Sequence, residues 1–277
     1  TMALRINYNE AASKAQRGLA ASQDTYSSQA EALSSGLRIN KASDDAAGMA
    51  VSERLKNQVR GLNQAQRNAQ DGISMIQTAE GGLSEIANLL ARMRELAVQS
   101  ANDTLTSTDR TNLNAEFTQL QAEITRIGNA VTFNGTVLLN ASASFTLQVG
   151  ANSTAASNQL TLALTDNRAT ATGIALTSND VTSQTNGSVA ITQIDTAINT
   201  ISTNRASLGA MQSRLESAVR SLAVASENAA AANSRVADAD IAGSMSELVR
   251  AQILQRAGIS VLAQANQAPG MILDLLK

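Results

Sequence analysis

The side chains that could carry chemistry are two pairs of carboxylates. Asp44 and Asp45 are adjacent, and Asp238 and Asp240 are separated by a single residue. Paired carboxylates can act as general acid and general base, but they also cap helices through their side-chain oxygens. Both pairs directly precede a helical pattern. The sequence therefore favours capping over catalysis, with Ser43, Asp44 or Asp45 as the cap of the first long helix.

Other reactive groups are missing from the chain. Its 277 residues include no Cys and no His, so disulfides, thiolate chemistry and the commonest general base are excluded. The glycines of Asp71-Gly72 and Gly81-Gly82 lie inside helical pattern rather than after a strand, so they do not form a phosphate-binding loop. We expect no enzyme activity, no metal and no cofactor.

The charge balance and the hydropathy exclude two further classes of protein. The net charge is −2, from 21 basic and 23 acidic residues, whereas a nucleic-acid-binding protein needs a concentrated basic face. No segment reaches the about 18 consecutive apolar residues of a membrane span. The N-terminal residues lack the apolar core of a secretory signal, so export is expected to proceed without a cleaved Sec-type signal.

The main organising element is a helical stripe between Ala47 and Gln99. Its apolar residues recur every three or four positions, which is typical of one seam of a coiled coil. A helix of this length would be a rod of roughly 80 Å, and it needs partners to bury the stripe. The stripe consists of Val51, Leu55, Val59, Leu62, Ala65, Ala69, Ile73, Ile76, Ala79, Leu83, Ile86, Leu90, Met93 and Ala97.

A second long helix, predicted from about Val189 to Asn233, supplies the partner. Its first seam positions are spaced by seven: Ile194, Ile201, Leu208, Leu215, Leu222, Ala229 and Val236. The second seam positions follow three residues later and are mostly Ala: Ala197, Asn204, Met211, Ala218, Ala225, Ala232 and Ala239. The two stretches are predicted to be halves of one antiparallel bundle.

Weaker patterns fill the rest of the chain. Residues 4–33 predict an Ala-rich helix, and residues 108–127 predict a third helix of the bundle. Phe133-Asn134-Gly135 indicates a turn, after which 145–149 and 160–164 alternate as strands; the Thr/Ser/Asn/Gly-rich residues up to 188 are expected to face solvent. The last helix has its stripe at Ile241, Met245, Leu248, Ala251, Leu254, Ala257, Val261, Ala265, Ala268, Ile272 and Leu275.

The predicted fold is mainly α, a long coiled-coil helical bundle formed by the N- and C-terminal segments, with a small β-hairpin region in the middle. The order of elements at the two ends is mirrored, so the termini should lie side by side. The predicted parts are an inner domain of paired terminal helices (2–35 and 241–277), two connectors (36–46 and 236–240), and an outer coiled-coil domain (47–188 and 189–235) with a β-rich segment at about 133–188.

Several motifs together resemble those of bacterial flagellin, the filament protein of the flagellum. They are Leu33–Asn40, Asp44–Gly48, Gly61–Ala65, Asp71–Ser74, Arg92–Gln99, Phe133–Gly135, Leu208–Ala210 and Leu262–Gln267. The resemblance implies a structural subunit that polymerises into an extracellular filament for swimming motility. The large variable outer domains of the family look absent, which leaves only the short middle of the chain.

The resemblance also implies partners. These are other copies of the chain, a secretion chaperone, the flagellar type III export apparatus, and hook-associated and cap proteins. A host toll-like receptor is a further candidate partner, and the matching positions are Arg92, Leu96 and Glu116, although Ala91 stands where many stimulating flagellins carry Gln.

Assembly is expected to use the terminal helices, which are predicted to be disordered in the monomer and to become ordered in the filament. The candidate interface residues are Leu19, Tyr26, Leu33, Leu248, Leu254, Val261, Leu262 and Ile272. Two alternatives remain open from the sequence: a hook–filament junction protein, which shares such terminal helices, and a secreted coiled-coil adhesin or translocator.

Overall fold

A computed structural model describes residues 9–170, 173–176 and 180–275, with side chains described as far as residue 267. The fold is mainly α, as predicted. The helices are α1 (Glu10–Ser35), α2 (Ala46–Ser100), α3 (Ser107–Ala130), α4 (Ala155–Asn158), α5 (Gln184–Ala237) and α6 (Ile241–Leu275). The strands are β1 (Thr132–Phe133), β2 (Thr136–Val137), β3 (Ala143–Gln148) and β4 (Gln159–Leu164).

The chain divides into two compact units. The first contains Thr1–Asn57 and Asn228–Lys277, and the second contains Gln58–Glu227. Both boundaries fall inside the long helices α2 and α5 rather than at the connectors. The predicted division into an inner and an outer domain at residues 36–46 and 236–240 stays a prediction.

The core of the second unit consists of the predicted seams of α2 and α5. The α2 stripe is buried from Leu62 to Ala97, and the first seam of α5 is buried from Ile194 to Leu222. Helix α3 adds Phe117 and Ile124, which are both fully buried. Periodic Ile and Leu on three helices therefore fix this core, as coiled-coil packing requires.

The second seam of α5 is less buried than the heptad pattern predicts. Ala225 is exposed. At this level of the helix the buried cluster comprises Leu62, Ala65 and Leu222, a contact between α2 and α5. Where only α2 and α5 pack together, each helix buries a narrower stripe than in a bundle with more helices. Ala225, at the edge of this stripe, therefore stays in contact with water.

The middle of the chain forms two antiparallel strand pairs. Strands β1 and β2 are joined by the two-residue turn Asn134-Gly135, and both turn residues have positive φ. Strands β3 and β4 pair from Ala143↔Leu164 to Gln148↔Gln159, with helix α4 in the loop between them. Their alternating residues direct Leu162 and Leu164 into the core, which confirms the predicted hairpin.

The prediction of a β-rich, solvent-facing segment as far as residue 188 is wrong beyond β4. The described residues between β4 and α5 contain no strand, and Ile174, Leu176 and Val181 are buried there. Asn167 anchors the segment because its backbone N–H donates to Leu139 O at 2.9 Å, and its Oδ1 accepts from Asn204 Nδ2 at 2.7 Å. Polar side chains thus replace a regular backbone ladder.

In the first unit, the paired carboxylates accept hydrogen bonds from backbone N–H groups of a connector and of the first turns of helices. Asp45 Oδ1 accepts from the Gly48 N–H at 2.8 Å and caps α2, while Asp240 Oδ1 accepts from the Ala242 N–H at 3.0 Å and caps α6. Asp44 accepts from the N–H groups of Lys41 and Asn40, and these bonds lower the pKa of its carboxyl. The capping prediction is confirmed.

The connectors themselves are paired through their backbones. The Arg38 N–H donates to Ala237 O at 2.7 Å, and the Ala239 N–H donates to Gly36 O at 2.9 Å. Gly36 ends α1 with φ of 71°, a left-handed conformation that favours glycine. The end of α1 and the beginning of α6 are therefore held side by side.

Candidate assembly and recognition surfaces

Helices α1 and α6 pair in opposite directions. Asn9 Nδ2 donates to Ala265 O at 2.7 Å, and Gln255 Nε2 donates to Gln23 Oε1 at 3.2 Å. Early residues of α1 thus meet late residues of α6. The terminal segments lie together, as the mirrored order of elements predicts.

The fully buried positions in the contact between α1 and α6 are occupied by small residues. Ala32 is buried on α1, and Ala251 and Ala265 are buried on α6. Towards α1, helix α6 presents buried or half-buried residues in steps of four and three: Ser244, Leu248, Ala251, Gln255, Gly258, Leu262 and Ala265. A narrow interface of this kind returns little hydrophobic free energy.

This register differs from the stripe that the sequence predicts for α6. Of the predicted stripe, Leu248, Ala251 and Ala265 face inward, whereas Leu254 and Val261 are exposed. Four further interface candidates are half-buried: Leu19, Tyr26, Leu33 and Leu262. The side chain of the last candidate, Ile272, lies outside the described residues. The predicted stripe differs from the observed one because α6 carries apolar residues on more than one side.

Helix α6 has an extensive exposed apolar surface. Its members are 46% to 61% exposed, and we call them the α6 apolar surface: Ile241, Met245, Val249, Ile253, Leu254, Ile259 and Val261. Ile241, Met245, Val249 and Ile253 follow each other at intervals of four, on a side away from Ala251. α1 covers only the side of α6 that contains Ala251 and Ala265, so these large apolar side chains remain in contact with solvent.

The second unit carries a charged surface formed by α2 and α3. Arg92 Nε lies 2.8 Å from Glu116 Oε1, and Arg92 Nη1 lies 2.9 Å from Glu95 Oε2. Arg92 and Glu116 are 50% and 44% exposed. The hydrogen bond to Glu116, and then that to Glu95, raises the pKa of Arg92. The structure therefore brings together two of the three residues predicted to contact a receptor.

The third predicted contact residue, Leu96, is not at the surface. Its exposed fraction is 1%, and it belongs to the core of the second unit together with Met93 and Ala97. Leu96 follows Arg92 by four residues, so the two lie about 40° apart around the helix, across the edge of the buried stripe. Leu96 therefore cannot itself touch a partner in this conformation.

Sequence reasoning missed the partners of two arginines that shape this region. Arg94 Nε donates to Asp195 Oδ1 at 2.6 Å and links α2 to α5. Arg110 Nε donates to Ser100 O at 2.9 Å and so satisfies a carbonyl at the C-terminal end of α2. No local spacing in the sequence signals the Arg94–Asp195 pair, because the two residues are separated by 101 positions.

Beside Arg94 lies an open groove with a volume of about 550 Å³. Its lining comprises Ala91, Arg94, Glu95, Val98, Gln99 and Ile198. Val98 is 48% exposed, so the groove combines an apolar contact with charged flanks.

Across residues 9–170, 173–176 and 180–275, no cluster of three or more His, Cys, Asp or Glu residues is arranged to hold a metal ion. Within the same part of the chain, no helix combines the length and hydropathy that a membrane crossing requires.

The family of the chain follows from its two helical ends. Residues 6–144 match the family described as "Bacterial flagellin N-terminal helical region", and residues 191–276 match "Bacterial flagellin C-terminal helical region". The chain belongs to the bacterial flagellin family. Helices α1, α2, α3 and α6 and most of α5 fall within the matched residues.

Full-length relatives lead to the same family. The chain is 48% identical to a flagellin of Halalkalibacterium halodurans, over 98% of this chain and 99% of that protein. It is 40% identical to a flagellin of Bacillus subtilis, over 99% of this chain and 100% of that protein. It is 43% identical to the flagellar filament 33 kDa core protein of Treponema phagedenis, again over nearly the whole of both chains. The short middle of the chain is thus shared with these relatives.

Solved structures resemble the fold. A crystal structure of Bacillus cereus flagellin, 33% identical, has a TM-score of 0.50 and covers 56% of this chain and 88% of its own. A structure of a Vibrio parahaemolyticus putative flagellar hook-associated protein has a TM-score of 0.59 but is 14% identical, over 70% of this chain and 100% of its own. That likeness concerns the fold alone. Sequence identity to filament proteins therefore decides the function, and the chain is a structural subunit of the flagellar filament.

Proposed function

We propose that the chain polymerises through the α6 apolar surface, which other copies of the same chain cover in the filament. The observation that carries this proposal is the distribution of exposed hydrophobic side chains. Of the ten large hydrophobic residues that are exposed among the described residues, seven lie on α6. An apolar patch concentrated on one helix marks an interaction surface.

The chemistry of the surface fits a second copy better than a ligand. The α6 apolar surface consists of aliphatic and Met side chains, so its burial gains about 25 cal/mol per Å² of apolar area. Contacts between different faces of identical subunits are heterologous and need not close into a ring, which yields a helical polymer. By its relationship to flagellar filament proteins, the chain is expected to lie outside the cell, in the filament.

The terminal helices are further proposed to become ordered only on assembly. Fixing each backbone residue costs roughly 1–2 kcal/mol, and the side chains that the α1–α6 contact buries fully are small ones such as Ala32 and Ala251. The additional burial of the α6 apolar surface against neighbouring copies offsets that cost. Ordering and polymerisation then occur in one step.

Seeded growth followed by electron microscopy tests the assembly proposal. The full chain is expected to extend flagellar seeds into long uniform filaments, and a chain that lacks residues 4–33 and 245–268 is expected not to. Normal filament growth without both segments would contradict the proposal. A full chain that binds seeds but stops their growth would favour the hook–filament junction alternative instead.

Export and its partners are proposed on the family relationship alone. The chain is expected to leave the cell through the flagellar export apparatus, with a secretion chaperone on the α6 region and with hook-associated and cap proteins at the filament ends. The apolar character of α6 suits a chaperone that shields it before export. Unchanged chaperone binding after deletion of residues 244–277 would overturn this assignment.

A second candidate function is recognition by a host toll-like receptor at the surface formed by Arg92, Glu116 and the adjacent groove. Arg92 already donates to two carboxylates, so a partner would have to share or replace these charge-assisted bonds. Arg is one of the residue types enriched at binding hot spots, and the groove that contains Val98 lies on a neighbouring side of α2. Leu96 has no direct part in this proposal, because it is buried.

Replacing Arg92 by Ala is expected to lower receptor signalling by the monomer about fivefold or more, because interface hot spots are worth over 1 kcal/mol. Folding should be little affected, since exposed ion pairs contribute little to stability. Receptor-dependent reporter activity measures the effect. Arg126→Ala is the matched control, because Arg126 is also exposed and pairs with a carboxylate on its own helix, Glu123. Equal signalling by the two variants and the parent chain would remove Arg92 from the contact.

A further inference from the structure

The chain contains the dipeptide Asn-Gly twice, and the structure places its two copies in opposite environments. Asn134-Gly135 forms the turn between β1 and β2, whereas Asn186-Gly187 lies in the first turn of α5. Asn-Gly is the dipeptide in which the side-chain amide is most open to attack by the following backbone nitrogen, because glycine has no side chain to shield that nitrogen.

The Asn134-Gly135 turn leaves both reacting groups accessible. Both residues are exposed, and their φ angles are 48° and 77°, as in a tight hairpin turn. A Cβ added at Gly135 would meet no atom within 4 Å. Among the hydrogen bonds of the described residues, none involves the Asn134 side chain. The hairpin has only two residue pairs, so its tip can open without disturbing a larger sheet.

The Asn186-Gly187 pair is restrained by hydrogen bonds and by close packing. Asn186 Nδ2 donates to Asp180 Oδ1 at 2.6 Å, and the Gly187 N–H donates to Ser183 O at 2.9 Å. Gly187 is buried, and a Cβ added there would lie 2.9 Å from Ala101 N. Attack on this amide requires the loss of a charge-assisted hydrogen bond and of the first turn of α5.

We propose that Asn134 is a site of spontaneous modification that converts its amide to a carboxyl group. The Gly135 nitrogen attacks Asn134 Cγ, a C–N bond forms, and the amide nitrogen leaves as ammonia, which gives a five-membered succinimide. Water then opens the ring at either carbonyl. The product is aspartate, or isoaspartate in which the main chain runs through the former side chain. The only co-reactant is water.

The modification changes the turn in two ways. It adds one negative charge, so the net charge of the chain moves from −2 to −3 at pH 7. Isoaspartate also adds a methylene group to the main chain between Phe133 and Thr136, which are paired across the hairpin. Leu138 and Leu139 are fully buried just beyond β2, so the disturbance should remain confined to the tip.

Peptide mapping by mass spectrometry of the full chain tests the proposal, with the folded protein incubated in mildly alkaline buffer over time. Asn134 is expected to lose its amide about tenfold or more faster than Asn186, because the latter must first break a hydrogen bond to a carboxylate. In the same chain unfolded in urea, the two sites should react at similar rates. Enzymatic methylation of isoaspartate identifies the second product.

A variant at Gly135 distinguishes attack by the backbone nitrogen on the Asn134 amide from non-specific loss of amides during incubation. Gly135→Asn tolerates positive φ but crowds the attacking nitrogen, so it should slow the reaction at position 134 and leave Asn186 unchanged. Loss of the Asn186 amide at a rate equal to or above that of Asn134 in the folded chain would overturn the proposal. So would a reaction at position 134 that is as fast in Gly135→Asn as in the parent chain.

Discussion

Filament growth is expected to stop at ordinary protein concentrations when Val249 and Ile253 are both replaced by Asn. These side chains are 46% and 61% exposed on α6, so their loss should leave the folded unit intact. Burial of each in a neighbouring subunit is worth roughly 1.5–3 kcal/mol. Two such losses raise the critical concentration for seeded growth about 100-fold or more.

Gln252→Asn is the matched control for this double variant. Gln252 lies between the two positions and is exposed, and its replacement by Asn carries a similar helix-propensity cost without removing an apolar side chain. The control is expected to polymerise like the parent chain, and circular dichroism should report equal helix content in all three proteins. Growth of the double variant at the parent's critical concentration would show that the α6 apolar surface is not the assembly interface.

The neighbouring glycines Gly81 and Gly82 in α2 are expected to respond to alanine with opposite signs. A Cβ added at Gly81 meets no atom within 4 Å, so Gly81→Ala should stabilise the helix by roughly 0.5–1 kcal/mol. A Cβ added at Gly82 would lie 2.7 Å from Val131 Cγ2 and 2.9 Å from Leu139 Cδ1. Val131 has a stiff branched side chain, so Gly82→Ala should destabilise the fold by roughly 1–3 kcal/mol.

Unfolding in urea, followed by circular dichroism, measures both effects as shifts of the midpoint. Each variant serves as the control for the other, because the substitution, the helix and the local sequence are the same. At Gly82, Val131 and Leu139 from the segment around β1 and β2 lie close to α2. Shifts of the same sign and size in the two variants would contradict the close approach.

The bundle could be predicted from the sequence because its signal is periodic and long. Large side chains such as Ile194, Leu208 and Leu215 recur on one face of α5, and a helical face is a local property that spacing reveals. The ends of α2 and α3 agree with the predicted ends within a few residues for the same reason. The hairpin was also predictable, since Asn134-Gly135 is a strong turn signal.

The register of α6 could not be predicted, because spacing alone does not select one side of a helix that has apolar residues on several sides. Leu254 and Val261 fit a three-and-four spacing as well as Leu248 does, and only the packing of α1 decides which of them faces inward. The burial of Leu96 was not predicted for a related reason: Leu96 lies at the edge of the buried stripe of α2, where spacing does not separate buried from exposed positions. The pairing of Arg94 with Asp195 depends on tertiary structure and has no local signal.

Amide hydrogen exchange on the monomer and on the assembled filament tests the central claim most directly, namely that the terminal helices become ordered as the chain assembles. Residues 10–33 and 245–267 are expected to exchange almost freely in the monomer and to be strongly protected in the filament. The core seams of α2 and α5 should be protected in both states and serve as the internal control. Strong protection of both terminal segments in the isolated monomer, equal to that in the filament, would contradict the account.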